Sequence, residues 1–411
     1  MRRPRSIALI ILTLSLLLGA SAQAQTKTLR QQVYERLTNA QEATEAGDYE
    51  RAFEELEKLD RIKDLQPHEL AQIHTAYGYL HFSRENYAEA AASYETVLDQ
   101  PDLAEAMRTT TLFTLGQLLF HLERYDQALK HLDDWLAVAE NPGPEPYILK
   151  GQALYQLDRL SEAAAPVMQA IAIAEQRDRT VQESWYGLLR VIYFETEDYE
   201  NLLDVLEILV TRFPSREYWL HLAGAFGEMG DDGRQLAAFE MAHELGYLRG
   251  STELVMLAQL YLQAEAPYRA GVLLRDGLDS SAIDGTAANW RLLSQAWILA
   301  QELEQAIASL KTAAGLSDDG ELDARIAQTY ANMGDWEPSV AAAATALEKG
   351  VDGPQELHML RGMGFFELGR FSEARDAFAR AIGFEEGRET ASRWLAYVER
   401  EEKRLRDLGL R

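Results

Sequence analysis

The side chains whose type and spacing come nearest to metal or acid–base chemistry are two histidines, His74 and His81, and two acidic pairs, Asp133-Asp134 and Asp318-Asp319. On a helix the histidines share a face, but seven residues are two turns, about 10 Å of rise, which is too far for both to bind one metal ion. Packing roles inside a helix pair suit them better. The acidic pairs lack the ligand spacing of a calcium loop, and on so acidic a chain they are expected at solvated helix termini. Gly224, Gly227, Gly230 and Gly233 recur every third residue. No strand precedes them and the spacing is not that of a dinucleotide turn, so a glycine-softened helical segment is expected, not a phosphate cradle. Metalloprotease, phosphate-loop and serine-hydrolase motifs do not occur. The expectation is a protein that is not an enzyme and uses neither a metal nor a cofactor.

Composition narrows the partners. The 411 residues contain no cysteine and carry a formal charge of −26. Arg2, Arg3 and Arg5, the uncharged run from Ile7 to Ala20 and the small-x-small triplet Ala22-Gln23-Ala24 read as an export signal, residues 1–24, cleaved near Ala24. Without its three arginines the mature chain has 37 basic and 66 acidic residues, a charge of −29 that would repel nucleic acid and anionic membrane surfaces. No later stretch is long and apolar enough to span a bilayer, so no membrane insertion is expected after signal cleavage. An exported chain without disulfides must hold itself together through a helical core, which suits a bacterial periplasm.

The elements that would position any site follow from a repeat. A small residue is followed nine positions later by an aromatic and twelve later by Ala: Gly78, Tyr87, Ala90; Gly116, Tyr125, Ala128; Gly362, Phe371, Ala374. Weaker copies in the same frame place the small-residue position at Ala40, Gly78, Gly116, Gly151, Arg190, Ala223, Ala258, Ser294, Ala327 and Gly362, at intervals of 33 to 39 residues. Helical periodicity on both sides of each break predicts two amphipathic helices per repeat, neither able to bury its apolar stripe alone. Gly47-Asp48, Gly230-Asp231 and Gly334-Asp335 each offer a glycine to end the first helix and an aspartate to cap the second. Prolines gather where repeats join, at Pro67, Pro101, Pro142, Pro144, Pro146, Pro214 and Pro354. Pro166 falls inside a second helix, where a kink or late start is expected.

This pattern is similar to the tetratricopeptide repeat, and the likeness implies an all-α, right-handed solenoid of about ten helix-turn-helix repeats. Residues 25–190 and 236–385 are read as repeat arrays and 386–411 as a capping helix. Arg190, Leu202, Asp232 and Gln235 depart from the pattern, so looser packing and a hinge are expected in residues 191–235. In such repeats the residue after the small one faces the groove, as does the residue three further on. Here these are Gln117, Gln152, Gln259, Gln295 and Gln328, then Phe82, Phe120, Tyr155, Phe194 and Phe366, with Tyr79 nearby. Such an amide ladder would bond the backbone of an extended peptide, while the aromatics would offer pockets or serve as core.

Beyond the repeat, the segments RTTTLFTLGQL from Arg108, NPGPEPYILKGQALYQL from Asn141, ESWYGLLRVIYFE from Glu183, REYWLHLAGAFGEMGD from Arg216, ELGYLRGSTELVMLAQLYL from Glu244 and AAGLSDDGEL from Ala313 resemble the periplasmic tetratricopeptide-repeat protein of TonB gene clusters. That resemblance implies an accessory of outer-membrane transport energised by TonB, ExbB and ExbD, of the iron-siderophore type. The partner would be a protein or extended peptide such as the periplasmic region of TonB or ExbD. The family brings no catalytic or mapped binding residues. The alternative is a scaffold for envelope assembly or division, of the kind that accompanies Tol or outer-membrane insertion machines.

Overall fold

The computed structural model describes residues 28–408. The export signal expected at 1–24 lies outside the described residues. The chain divides into two compact units, Met1–Thr196 and Glu197–Arg411. Within the first lie α1 (Gln31–Glu45), α2 (Tyr49–Asp60), α3 (Pro67–Ser83), α4 (Tyr87–Leu98), α5 (Glu105–His121), α6 (Tyr125–Val138), α7 (Glu145–Gln156), α8 (Leu160–Gln176) and α9 (Glu183–Glu195). The second holds α10 (Tyr199–Arg212), α11 (Arg216–Glu228), α12 (Asp232–Glu244), α13 (Ser251–Gln263), α14 (Pro267–Asp279), α15 (Ala287–Leu299), α16 (Leu303–Gly315), α17 (Gly320–Met333), α18 (Trp336–Lys349), α19 (Pro354–Glu367), α20 (Phe371–Ile382) and α21 (Arg388–Asp407). Among the described residues every regular element is a helix.

The sequence frame sets the helix boundaries. Each second helix begins nine residues after the small-residue position, at Tyr49, Tyr87, Tyr125, Leu160, Tyr199, Asp232, Pro267, Leu303, Trp336 and Phe371. Two residues before that start, the backbone turns left-handed in all ten copies. Glycine holds the position at Gly47, Gly230, Gly334 and Gly369, and a polar L-residue holds it at Glu85, Glu123, Asp158, Glu197, Glu265 and Gln301, with φ between 55° and 80° throughout. The two hydrogen bonds of a Schellman motif close the turn: in the third repeat Glu123 N–H donates to the Phe120 carbonyl at 3.0 Å, and Arg124 N–H to that of Leu119 at 2.8 Å. Of the three aspartates expected to cap second helices, Asp48 and Asp231 accept from the backbone N–H groups of Arg51 and Arg234, whereas the Asp335 side chain makes no such bond.

Packing explains why the frame needs a small residue. A Cβ on Gly78 would lie 2.7 Å from the Tyr94 ring, on Gly151 2.4 Å from Val167 and on Gly362 2.6 Å from the Phe378 ring. In each case the intruding side chain stands sixteen residues downstream, on the partner helix. The same sixteen-residue partner is buried where the small residue is Ala or Ser: Leu56, Phe239, Leu274, Leu310 and Ala343. Alanines twelve residues downstream are fully buried, and where Ser339 replaces one, its hydroxyl donates to the Ala327 carbonyl at 2.8 Å.

Two local expectations are corrected. α8 starts in frame at Leu160 and runs unbroken through Pro166, so there is no late start. The buried proline ring packs, and the carbonyl it leaves unbonded belongs to Glu162, which is exposed to water. Asp133 and Asp134 lie within α6, not at a helix terminus, and Asp133 reaches across to Lys150 of α7 at 2.5 Å; Asp319, by contrast, caps α17. Between the sixth and seventh repeats, α12 and α13 pack least closely of the consecutive helices in the second unit. Beside that junction a cavity of about 580 Å³ opens among Leu248, Leu254, Tyr261, Tyr268 and Leu273.

Candidate partner-binding surface

Odd-numbered helices touch one another within each unit, α1 with α3, α5 with α7, α7 with α9, and α17 with α19. The side they line is therefore the shorter, inner arc, and it is the side on which the amide ladder was expected. Gln117 of α5 and Gln152 of α7 are half-buried in the first unit, and Gln259 of α13, Gln295 of α15 and Gln328 of α17 are exposed in the second. Gln328 donates to Asn332 at 2.9 Å, a bond along its own helix that uses the amide nitrogen and not the carbonyl oxygen. Gln41 extends the ladder onto α1, directly after Ala40, and donates to Glu45 at 2.9 Å. The repeat frame alone would have found it. The ladder is interrupted at α3, α9, α11 and α19, where Tyr79, Val191, Gly224 and Met363 take the amide position; a Cβ on Gly224 would meet nothing within 4 Å. The four spaced glycines fall inside α11, in the following turn and at the start of α12, so they form no continuous loop.

The aromatics are less free than the amides. Phe82 packs edge-on against Tyr87 at 5.7 Å, Phe120 against Tyr125 at 5.2 Å and Phe366 against Phe371 at 5.7 Å. Each pair joins the end of a first helix to the first residue of the second, so each ring is held within its own repeat. Tyr155 donates to Glu195 at 3.1 Å, Tyr79 is half-buried and Phe194 is 61% exposed. Phe366 also meets Trp394 and Tyr397 of α21, which ties the last groove position to the C-terminal cap.

Ring contacts place both histidines in packing positions. The Tyr77 ring lies between His74 and His81, 6.3 Å from each, and burial lowers the pKa of both imidazoles. Tyr77 in turn donates to Asp60 at 2.7 Å. Among the described residues no group of three His, Asp or Glu side chains is placed to hold a metal ion, and no helix is long and apolar enough to cross a membrane.

Residues 75–145, 113–178 and 325–392 match the model of the tetratricopeptide-repeat family. These stretches, less than half of the chain, are tetratricopeptide repeats. No curated protein sequence matches it. Solved structures similar to this repeat protein include a tetratricopeptide repeat protein from Parabacteroides merdae, 16% identical over 73% of this chain and 99% of that one, with a TM-score of 0.37. Another is YrrB, described as a TPR protein with an unusual peptide-binding site, 16% identical over 46% of this chain and 96% of that one, with a TM-score of 0.37. A third is MamA, 18% identical over 43% of this chain and 94% of that one, with a TM-score of 0.35. A tetratricopeptide-repeat array is a scaffold for protein–protein interaction.

Proposed function

We propose that this repeat protein works in the periplasm as an accessory of TonB-, ExbB- and ExbD-energised outer-membrane transport, holding an extended segment of a partner along its inner face. The observation that carries the binding mode is the in-register amide position. Packed helices stand about 8–10 Å apart and an extended chain advances about 3.3 Å per residue, so successive amides meet a bound strand roughly every third residue. A glutamine there can both donate to a carbonyl and accept from an N–H, which reads backbone and leaves selectivity to the aromatics beside it. The TonB assignment is supported by the segments outside the repeat frame that resemble the protein of TonB gene clusters, and the periplasmic location by the arginine-led apolar run at residues 1–24.

Purified protein, incubated with the periplasmic regions of TonB and of ExbD, is expected to retain one of them, and a deletion strain is expected to grow poorly on iron held by siderophores. Absence of binding together with normal siderophore growth overturns the proposal. Recovery of only Tol or outer-membrane insertion components by crosslinking in cells replaces it with the envelope-assembly reading.

A further inference from the structure

Where the second unit packs least closely, beside the junction of α12 and α13, the fold leaves the cavity of about 580 Å³. Its lining is mainly apolar: Val272 and Leu273 of α14, Leu254 of α13, Leu248 of the linker before it, and the rings of Tyr261 and Tyr268. Tyr268 is 55% exposed, so the hollow is open to solvent along α14. Native packing leaves few voids larger than a water molecule, and an apolar hollow of this size therefore calls for an occupant.

Polar contacts brace its walls. Arg269 of α14 pairs with Glu240 of α12 at 2.6 Å, which ties those two helices together, and its guanidinium lies 4.4 Å from the centroid of the Tyr261 ring. The linker that carries Leu248 is pinned on both sides of it. Arg216 donates to the Tyr247 carbonyl at 3.1 Å, and Glu253 accepts from the backbone N–H groups of Arg249 and Gly250 at 3.1 and 3.2 Å. The charges that line the hollow are each answered by a neighbour: Arg269 by Glu240, and Asp276 by Arg275 at 2.8 Å. An ionic ligand would have to displace one of these pairs, whereas an uncharged one displaces only water. His243 and Ser280, both exposed, add hydrogen-bonding groups to the lining.

We infer that this hollow is a binding site for an uncharged, largely apolar small molecule. Its volume falls inside the range of about 300–1,000 Å³ typical of small-molecule sites, and an apolar lining with a few polar groups is their usual make-up. Size decides against a lone side chain from a partner protein: a cavity of about 150 Å³ already admits a benzene ring, and this one is about four times larger. A body of about two to three fused or linked rings, or an equal length of hydrocarbon, fills it better. The site is separate from the inner face. Gln259 holds the amide-ladder position of α13, and Tyr261 lies two residues away, about 200° around the helix. A ligand seated there touches α13, α14 and the linker together and stiffens the loosest junction of the unit.

The test titrates the purified protein with a matched pair of fluorescent probes: N-phenyl-1-naphthylamine, which is neutral, and 1-anilinonaphthalene-8-sulfonate, the same ring system with one sulfonate. Saturable binding of the neutral probe, one per chain and with a raised thermal midpoint, is expected. The sulfonate should bind about tenfold or more weakly, because its charge finds no unpaired cation in the lining. Val272 and Ala282 both line the hollow, so V272W and A282W each place an indole in it and should weaken the neutral probe about tenfold or more. L316S, which removes an exposed leucine elsewhere on the surface, should leave the affinity unchanged. Ala282 is exposed, so A282W carries the test even if V272W disturbs packing. Absence of saturable binding, equal affinity for the sulfonate, or unchanged affinity in A282W overturns the inference.

Discussion

Glu69 is the charged side chain on which the N-terminal repeat turns. It is 1% exposed, takes a forked contact from Arg30 at 2.6 and 2.8 Å, and accepts backbone N–H groups from Arg30 and Gln66. The Arg30 hydrogen bonds, opposed by burial, hold its carboxyl at a pKa of about 2. Glu69→Gln keeps the shape but discards the charge, and should cost about 1.5–3 kcal/mol in urea denaturation at pH 7. Its contribution is present above pH 4.5, where the unfolded carboxyl is ionised, and is lost as the pH falls toward 2. His74, His81, His131 and His358 act in a higher window. Burial depresses all four, so the unfolded chain takes up protons near pH 6.5 before the folded one does, and stability is lost as the pH falls below 6.5. The urea midpoint is therefore expected to fall in two stages on acidification. His81→Phe should reduce the upper stage and Glu69→Gln the lower, and a midpoint flat between pH 7 and 5 would contradict the assignment. Sequence placed His81 in a packing position correctly. It gave no sign of Glu69, whose partner lies 39 residues away across two helices.

At the scale of helices, the same turn is built with glycine in some repeats and with an acidic residue or glutamine in others. An L-residue in the left-handed region carries a steric cost of about 1 kcal/mol, partly offset because glycine loses more freedom on folding. Glu123→Gly should therefore leave the third repeat unchanged or raise its stability by up to about 1 kcal/mol, whereas Gly334→Ala should lower that of the ninth by about 1 kcal/mol. Thermal denaturation of the two variants side by side would show opposite signs if the turn geometry is as described. Gly151→Ala tests the other half of the frame: its new Cβ would meet Val167, so a loss of about 1–3 kcal/mol is expected, and adding Val167→Ala should recover part of it. Helix boundaries were legible because the small residue, the aromatic and the alanine mark fixed points along the chain. The sixteen-residue partner was not, since Tyr94, Leu132, Val167 and Phe378 share no residue type, only a position on the far side of a turn. Nor does Pro166 delay the start of α8, because one missing N–H is tolerated where the freed carbonyl can reach water.

For the whole molecule, the amide positions were readable because they follow the small residue by one, and a helix that buries one residue must turn its neighbour about 100° away. The commitment of Phe82, Phe120 and Phe366 to their own repeats was not readable, because it depends on the turn folding the second helix back onto the first. This difference sets the last prediction. The aromatics hold structure as well as surface, so Phe120→Ala should lower stability and partner binding together. Gln259→Ala, Gln295→Ala and Gln328→Ala touch exposed side chains, and combined they should weaken partner binding by about tenfold or more while leaving the thermal midpoint nearly unchanged. Charge enters the same measurement. An acidic chain attracts a basic segment through screened surface charges, so affinity of the unmodified protein should fall as salt rises from about 0.05 to 0.5 M, and mainly through a slower association rate. Because the glutamines are neutral, the triple variant should bind less tightly at every salt concentration but with the same salt slope. A variant whose slope changed would place the basic segment's charges against the ladder itself, while parallel slopes would assign backbone reading to the inner face and long-range attraction to the acidic surface around it.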